Sequence, residues 1–229
     1  MAIEIIYCAN GNKRFADIAI EHGFLYGAQL PGTVYRPIFF ADQDWKKPNR
    51  NAYMSALATH HPHMASVLDW ENESQLAEVL GWAEEAAMHV EVVMIIPKVL
   101  GGIEQIPDKI GRKSVRLGYS VPTRFGGTEL PIWEFGDRPV HLLGGDPQKQ
   151  MMLCNYLNVK SADGNYAQKM AVQFAQFWAP GDARYAKNRF WPKLSEAGRH
   201  VAKDAIYEAF RRSCKNIMAE WRRTHVVHP

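Results

Sequence analysis

Apolar positions along the chain alternate between short continuous runs and stretches with helical spacing. Residues 3–8 form an apolar run of strand character, Asn10-Gly11 turns the chain, and Phe15, Ile18 and Ala19 then fall at helical intervals within 13–22. Residues 23–32 read as a loop, and 34–40 as a strand that ends in Ala41-Asp42-Gln43-Asp44-Trp45. Helical character over 49–61 leads to a strand at 65–69, again closed by an acid. The segment 73–89 carries Leu76, Val79, Leu80, Trp82 and Ala83 on one helical face. A β-branched run over 90–96 stops at Pro97-Lys98, and 115–120 is a fifth strand followed by a turn-rich loop over 121–131.

Two further strand-to-helix passages follow. Residues 140–143 lead through Gly144-Gly145 into Asp146-Pro147, where Asp is a favoured N-cap and Pro a favoured first helical residue. Residues 157–159 lead through Ser161-Ala162-Asp163-Gly164-Asn165 into a helix over 167–178. Strands that are continuous apolar runs alternating with helices predict a parallel sheet covered on both faces. Seven such units fit a TIM-like (β/α)8 barrel over residues 1–180, with 181–229 as a basic helical extension packed on it. No eighth strand stands out, so the barrel is expected to be irregular or incomplete.

In such a barrel, active-site groups gather at the carboxyl ends of the strands. Asp42, Asp69, Lys98, Ser120, Gly144, Gly145 and Asp163 all take that position. Each has a plainer reading. Asp163 could cap the helix beginning near Tyr166, Asp69 could cap the helix near Glu73, Asp44 could replace Asp42, and the serine and glycines could only shape turns. His60, His61 and His63 lack metal-ligand spacing and read as loop.

A chain of 229 residues, 47% hydrophobic, can bury a large core. No apolar run is long enough to cross a bilayer, and the N-terminal charges follow the apolar run, opposite to a secretory signal; a cytoplasmic protein is expected. The three cysteines are far apart and support neither a disulfide framework nor a zinc site. The net charge is +3, but from Arg184 onward eleven basic residues face four acidic ones, leaving the body slightly acidic. A basic tail on an acidic body predicts a polyanionic partner. A solvated amphipathic helix would read the same way.

Four segments occur in order across 35–170: Phe39-Phe40-Ala41-Asp42; Val67-Leu68-Asp69-Trp70-Glu71 with Trp82-Ala83 downstream; Leu117-Gly118-Tyr119-Ser120; and 140–147 followed by Ser161-Ala162-Asp163. In residues and spacing they resemble the tRNA-guanine transglycosylase superfamily, most closely its short, DNA-modifying 7-deazaguanine branch of bacteriophages. The resemblance implies a nucleophilic Asp163, an acid/base Asp42 and a base-reading Asp69. Pro97, Lys98, Gly118, Tyr119, Ser120, Gly144 and Gly145 would line the base pocket, with Trp70 or Tyr119 stacking on the base. It further implies exchange of guanine in DNA, flipped or single-stranded, for a free 7-deazaguanine (preQ0-like) base, without a cofactor. Two features depart from the tRNA enzymes: the zinc-binding cysteines are absent, and Pro97-Lys98 stands where a Gln is usual. Arg124, Lys169, Arg199, Lys203, Arg211, Arg212, Lys215, Arg222 and Arg223 would meet phosphates. Base exchange or hydrolysis on tRNA or nucleosides, and a non-catalytic nucleic-acid-binding barrel, are the competing readings.

Overall fold

The computed structural model describes residues 2–9, 12–123, 126–180, 191–194 and 203–228. Nine strands form one sheet: β1 (Glu4–Cys8), β2 (Leu25–Leu30), β3 (Phe40–Gln43), β4 (Met64–Trp70), β5 (Val92–Pro97), β6 (Lys109–Ile110), β7 (Lys113–Ser120), β8 (Val140–Leu143) and β9 (Val159–Gly164). Eight run parallel, and pairing of β5 with β7 and of β9 with β1 closes them into a barrel. The short β6 is an antiparallel flap on β7. The barrel is therefore closed and eight-stranded.

The strand that sequence patterning missed is β2, read there as loop between Gly23 and Gly32. Tyr26, Ala28 and Leu30 face the outer core, while Leu25 and Gly27 face the barrel interior. Gly27 breaks the apolar pattern for a steric reason, since a Cβ there would lie 3.0 Å from Cys8 Cβ and 3.1 Å from Ile6 Cγ2. The strand expected at 34–40 is instead irregular until Phe40, and β9 runs on past Val159 to Gly164. These shifts place Asp42 and Asp163 on the strands themselves, where the ladder holds their backbones.

Side chains alternate between two cores, as the two-residue period of a strand requires. Ile6, Cys8, Phe40, Met64, Val92, Met94 and Ile96 fill the barrel, and the far larger outer core lies beneath the helices. The helices are α1 (Lys13–Glu21), α2 (Arg50–His60), α3 (Leu76–Ala86), α4 (Pro147–Leu153), α5 (Tyr166–Phe174) and α6 (Lys203–Thr224). The predicted start of α4 is realised: Asp146 Oδ1 accepts from the Gln148 N–H at 2.8 Å, with Pro147 as first helical residue.

Among the described residues, the connections from β2, β5 and β7 contain no α-helix, so the helical ring is incomplete there. α6 buries Ala209, Phe210, Cys214, Ile217, Met218 and Trp221, and Phe210 packs against Tyr7 of β1 and Phe15 of α1 at ring separations of 5.4 and 5.0 Å. Among the described residues no helix is long and apolar enough to cross a membrane.

The barrel interior leaves no room at Gly118, where a Cβ would approach Ile96 Cγ1 to 2.6 Å and Leu143 Cδ1 to 2.9 Å. Gly118→Ala should destabilise the fold by about 1–3 kcal/mol through overpacking. Gly81→Ala, in α3 with its nearest neighbour 3.7 Å away, should be neutral or stabilising by about 0.5–1 kcal/mol. Urea unfolding of both variants measures the contrast.

Candidate active site

A cavity of about 590 Å³ opens at the carboxyl ends of the barrel strands. Asp42 and Gln43 of β3, Ser66 and Asp69 of β4, Lys98 after β5, Ser120 of β7, Gly144 and Gly145 after β8 and Asp163 of β9 line it. All three candidate acids thus share one chamber, with Cys8 at its floor.

Asp163 does not cap a helix. Asn165 holds the N-cap position of α5, and Asp163 Oδ1 instead accepts from His141 Nε2 at 3.1 Å and from the Gly144 N–H at 3.2 Å. The second contact depends on the Gly-Gly turn, because Gly144 and Gly145 have φ of 61° and 82°, a region that side-chain-bearing residues rarely adopt. Gln150 of α4 clasps the same turn, its Nε2 donating to the carbonyls of Gly144 and Asp163 at 2.7 Å each.

Asp42 lies deep in the cavity, enclosed by protein except toward the mouth. Burial, reinforced by the nearby charge of Asp163, pushes its carboxyl up to about 7, against the opposing hydrogen bond from Ser66 Oγ at 3.1 Å. Asp44, the rival acid, accepts from the Lys46 N–H and does not line the cavity. The Cys8 thiol is pushed well above its ordinary value by burial and then by Asp163 and Asp42, so it stays neutral between them.

Asp69 is not a helix cap either, since Asn72 precedes the short turn that opens α3. Its Oδ2 lies 2.6 Å from Lys98 Nζ, which also meets Glu71 Oε1 at 3.0 Å. Burial raises the Asp69 carboxyl and Lys98 only partly offsets this. For Lys98, burial disfavours the charge, but Asp69 and Glu71 outweigh it and hold the ammonium protonated.

Other expected pocket residues are placed differently. Pro97 is buried within β5, and Gly118 is an interior packing position; neither lines the cavity. Tyr119 points outward and packs on Phe135 at 5.3 Å, and the fully buried Trp70 donates its indole N–H to the Asn72 carbonyl. Among the described residues, the aromatic that lines the chamber is Trp45, 63% exposed. His141 is the principal residue that sequence reading missed: it sits inside an apolar run, and only the two-residue period of β8, which turns it into the barrel, could have singled it out. His60, His61 and His63 lie at the opposite end of β4 from the cavity, and among the described residues no group of three or more His, Cys, Asp or Glu is arranged to hold a metal ion.

Of the expected phosphate contacts, Arg124, Arg199 and the Lys203 side chain lie outside the described residues. Lys169 is exposed on α5. Arg211, Arg212 and Arg223 are engaged by Glu21, Glu208 and Glu220 at 2.5–2.7 Å. Lys215 and Arg222 are exposed, with no ion pair among the described residues. The basic face of α6 therefore sits on the flank of the barrel, partly neutralised by Glu208 and Glu220 of the same helix and by Glu21 of α1.

The Asp42 carboxyl resists ionisation until about pH 7 in the folded chain, against 3.8 for an unperturbed carboxyl. A raised carboxyl stabilises the fold below its unfolded pKa, and that contribution is lost as pH rises through the folded value. Asp42→Asn should therefore be more stable than the parent by about 2–4 kcal/mol at pH 8. The difference should shrink toward zero near pH 4, as read from urea unfolding across that range.

The fold has known counterparts. The YdjI aldolase from Escherichia coli K12 is similar with a TM-score of 0.56 at 9% identity, over 98% of this chain and 92% of that one. A monomeric form of the dimeric phosphoribosylanthranilate isomerase from Thermotoga maritima has a TM-score of 0.36 at 10% identity, over 71% and 87% of the two chains. The first likeness shows the shared barrel. No curated protein matches the sequence. A family model does match, across residues 19–222, and the chain belongs to that family, described as "Family of unknown function (DUF6610)".

Proposed function

We propose that this barrel is a base-exchange glycosyltransferase, a DNA-guanine transglycosylase that replaces guanine by a 7-deazaguanine. The observation that carries the reading is the pair of carboxyls in one chamber with opposite surroundings. Asp42 is pushed up to about 7 and can hold a proton at neutral pH. Asp163 Oδ1 instead meets two donors, His141 Nε2 and the Gly144 N–H. That is the division of labour that double displacement at an anomeric carbon needs.

In the first step an Asp163 oxygen forms a bond to C1′, the C1′–N9 bond breaks with its electron pair going to the base, and Asp42 gives its proton to the departing guanine. In the second, the incoming base returns a proton to Asp42, its N9 attacks C1′ and Asp163 leaves. Protons balance over the cycle and the configuration at C1′ is restored. Asp69, drawn tight to Lys98, offers a carboxylate edge for a guanine N1–H and amine, and the motif resemblance supports that role. The target nucleotide must leave the stack to reach the chamber.

The name of the structural neighbour invites a second reading, an aldol reaction, for which a lysine imine in this chamber would be one route. The cavity's lysine disfavours it, because Lys98 is held protonated between two carboxylates and is a poor nucleophile.

Incubation with guanine-containing DNA and a labelled 7-deazaguanine tests the proposal. The wild type should incorporate label, Asp163→Ala should incorporate none, and Asp42→Asn should lose about 10²–10⁴-fold in kcat. Because Asp42 must start protonated, kcat/KM should fall as pH rises past about 7. Label uptake that survives Asp163→Ala would sink the assigned nucleophile. Release of base from tRNA or nucleosides, with none exchanged in DNA, would move the activity to those substrates. Deleting α6 is not a usable test of DNA binding, since its apolar face is part of the core. Lys215→Ala with Arg222→Ala is the appropriate variant, and a DNA contact there would weaken its binding most at low salt.

A further inference from the structure

Beneath the cavity, five polar side chains run through the barrel in an unbroken line. Arg116 Nη1 donates to Glu4 Oε2 and to Ser161 Oγ, each at 2.6 Å. Ser161 Oγ lies 2.5 Å from His141 Nδ1, and His141 Nε2 lies 3.1 Å from Asp163 Oδ1. Ser161 and His141 are both 0% exposed.

Donor and acceptor capacities give this line one direction. A guanidinium can only donate, so Ser161 accepts from Arg116. Asp163 Oδ1 already accepts from the Gly144 N–H, and for the same oxygen to accept from His141 the Nε2 must carry a hydrogen. A neutral imidazole has a single N–H, which leaves Nδ1 bare to take the hydroxyl proton of Ser161. Burial supports the neutral ring: it holds His141 below its ordinary value, against the opposing pull of Asp163. The positive charge of Arg116 is matched by Glu4 at the far end rather than by Asp163.

We propose that Ser161, oriented by Arg116, is a positioning residue that locks His141 in its Nε2–H tautomer, so that this N–H and that of Gly144 hold Asp163 by Oδ1 and leave Oδ2 to attack. The catalytic part of the inference rests on the base-exchange reading; the tautomer does not. A neutral donor suits a nucleophile better than a cation would. It fixes the carboxylate in place without the full positive charge that would blunt its attack and then hinder its departure.

The test combines 15N NMR of histidine-labelled full-length protein with base-exchange kinetics. The His141 signals are identified by their loss in His141→Gln. At pH 7 the wild type should show a protonated Nε2 and an unprotonated Nδ1. Ser161→Ala, with its fold checked by thermal melting, should weaken that preference, leaving Asp163 alone to orient the ring, and lower kcat about 10–100-fold with KM for the free base little changed. Ser161→Thr, which keeps the hydroxyl, should restore the tautomer and most of the rate. A wild-type ring protonated at Nδ1, or at both nitrogens, overturns the proposal. So does a Ser161→Ala protein with unchanged kcat, because a merely structural serine would leave the chemistry untouched. If the wild type exchanges no base in any nucleic acid, the functional reading falls, while the wild-type and Ser161→Ala spectra still decide whether the tautomer is locked.

Discussion

A charged guanidinium inside a β-barrel is the constraint to which the other interior positions answer. Arg116 and Glu4, 11% and 15% exposed, meet at 2.6 Å within a lumen otherwise packed by Ile6, Phe40, Met64 and Met94. Removing two charges from water is costly, and an ion pair of this kind is tolerated only when its remaining donors are satisfied. Ser161 satisfies one of them, and satisfying Ser161 in turn requires His141. The interior polar groups are thus a connected set, and its last member is a carboxylate in the candidate active site.

The same connection separates the two principal acids. Asp42 and Asp163 face one chamber, so each disfavours the other's charge. Donors aimed at Asp163 from β8 and the Gly-Gly turn bias that competition one way. Asp42 has Ser66 as its hydrogen-bonding side chain and carries the cost of the shared burial. Two chemically identical side chains thereby sit in different surroundings, one met by two donors and one raised by burial, a difference that acid-and-nucleophile chemistry on a single carbon would use.

Much of this was legible in the sequence, for definable reasons. Continuous apolar runs ending in acids gave the strands, and the acids at those ends, Asp42, Asp69 and Asp163, do share a cavity. What escaped reading was set by neighbours distant in sequence. β2 was hidden because Gly27 accommodates Cys8, its neighbour on β1, and β3 was expected too early because its regular part is only four residues long. Which aromatics enter the cavity depended on a strand's facing, so Trp70 and Tyr119 were expected there and Trp45 was not. His141 and Ser161 lie within the quoted segments but drew no role there; their importance appears only when β8 and β9 pair and bring them to one level.

The incomplete helical ring divides the cavity wall into two kinds of material. β3, β4 and β9, which bear the three acids, lead into α2, α3 and α5, whereas β5 and β7, which bear Lys98 and Ser120, lead into loops and short 3₁₀ turns. Insertions or exchanges in the segments after β5 and β7 would reshape the chamber without disturbing the backbones that hold the acids. The shape of the chamber can therefore be altered from one side of the barrel while the backbones carrying Asp42 and Asp163 stay where the ladder holds them.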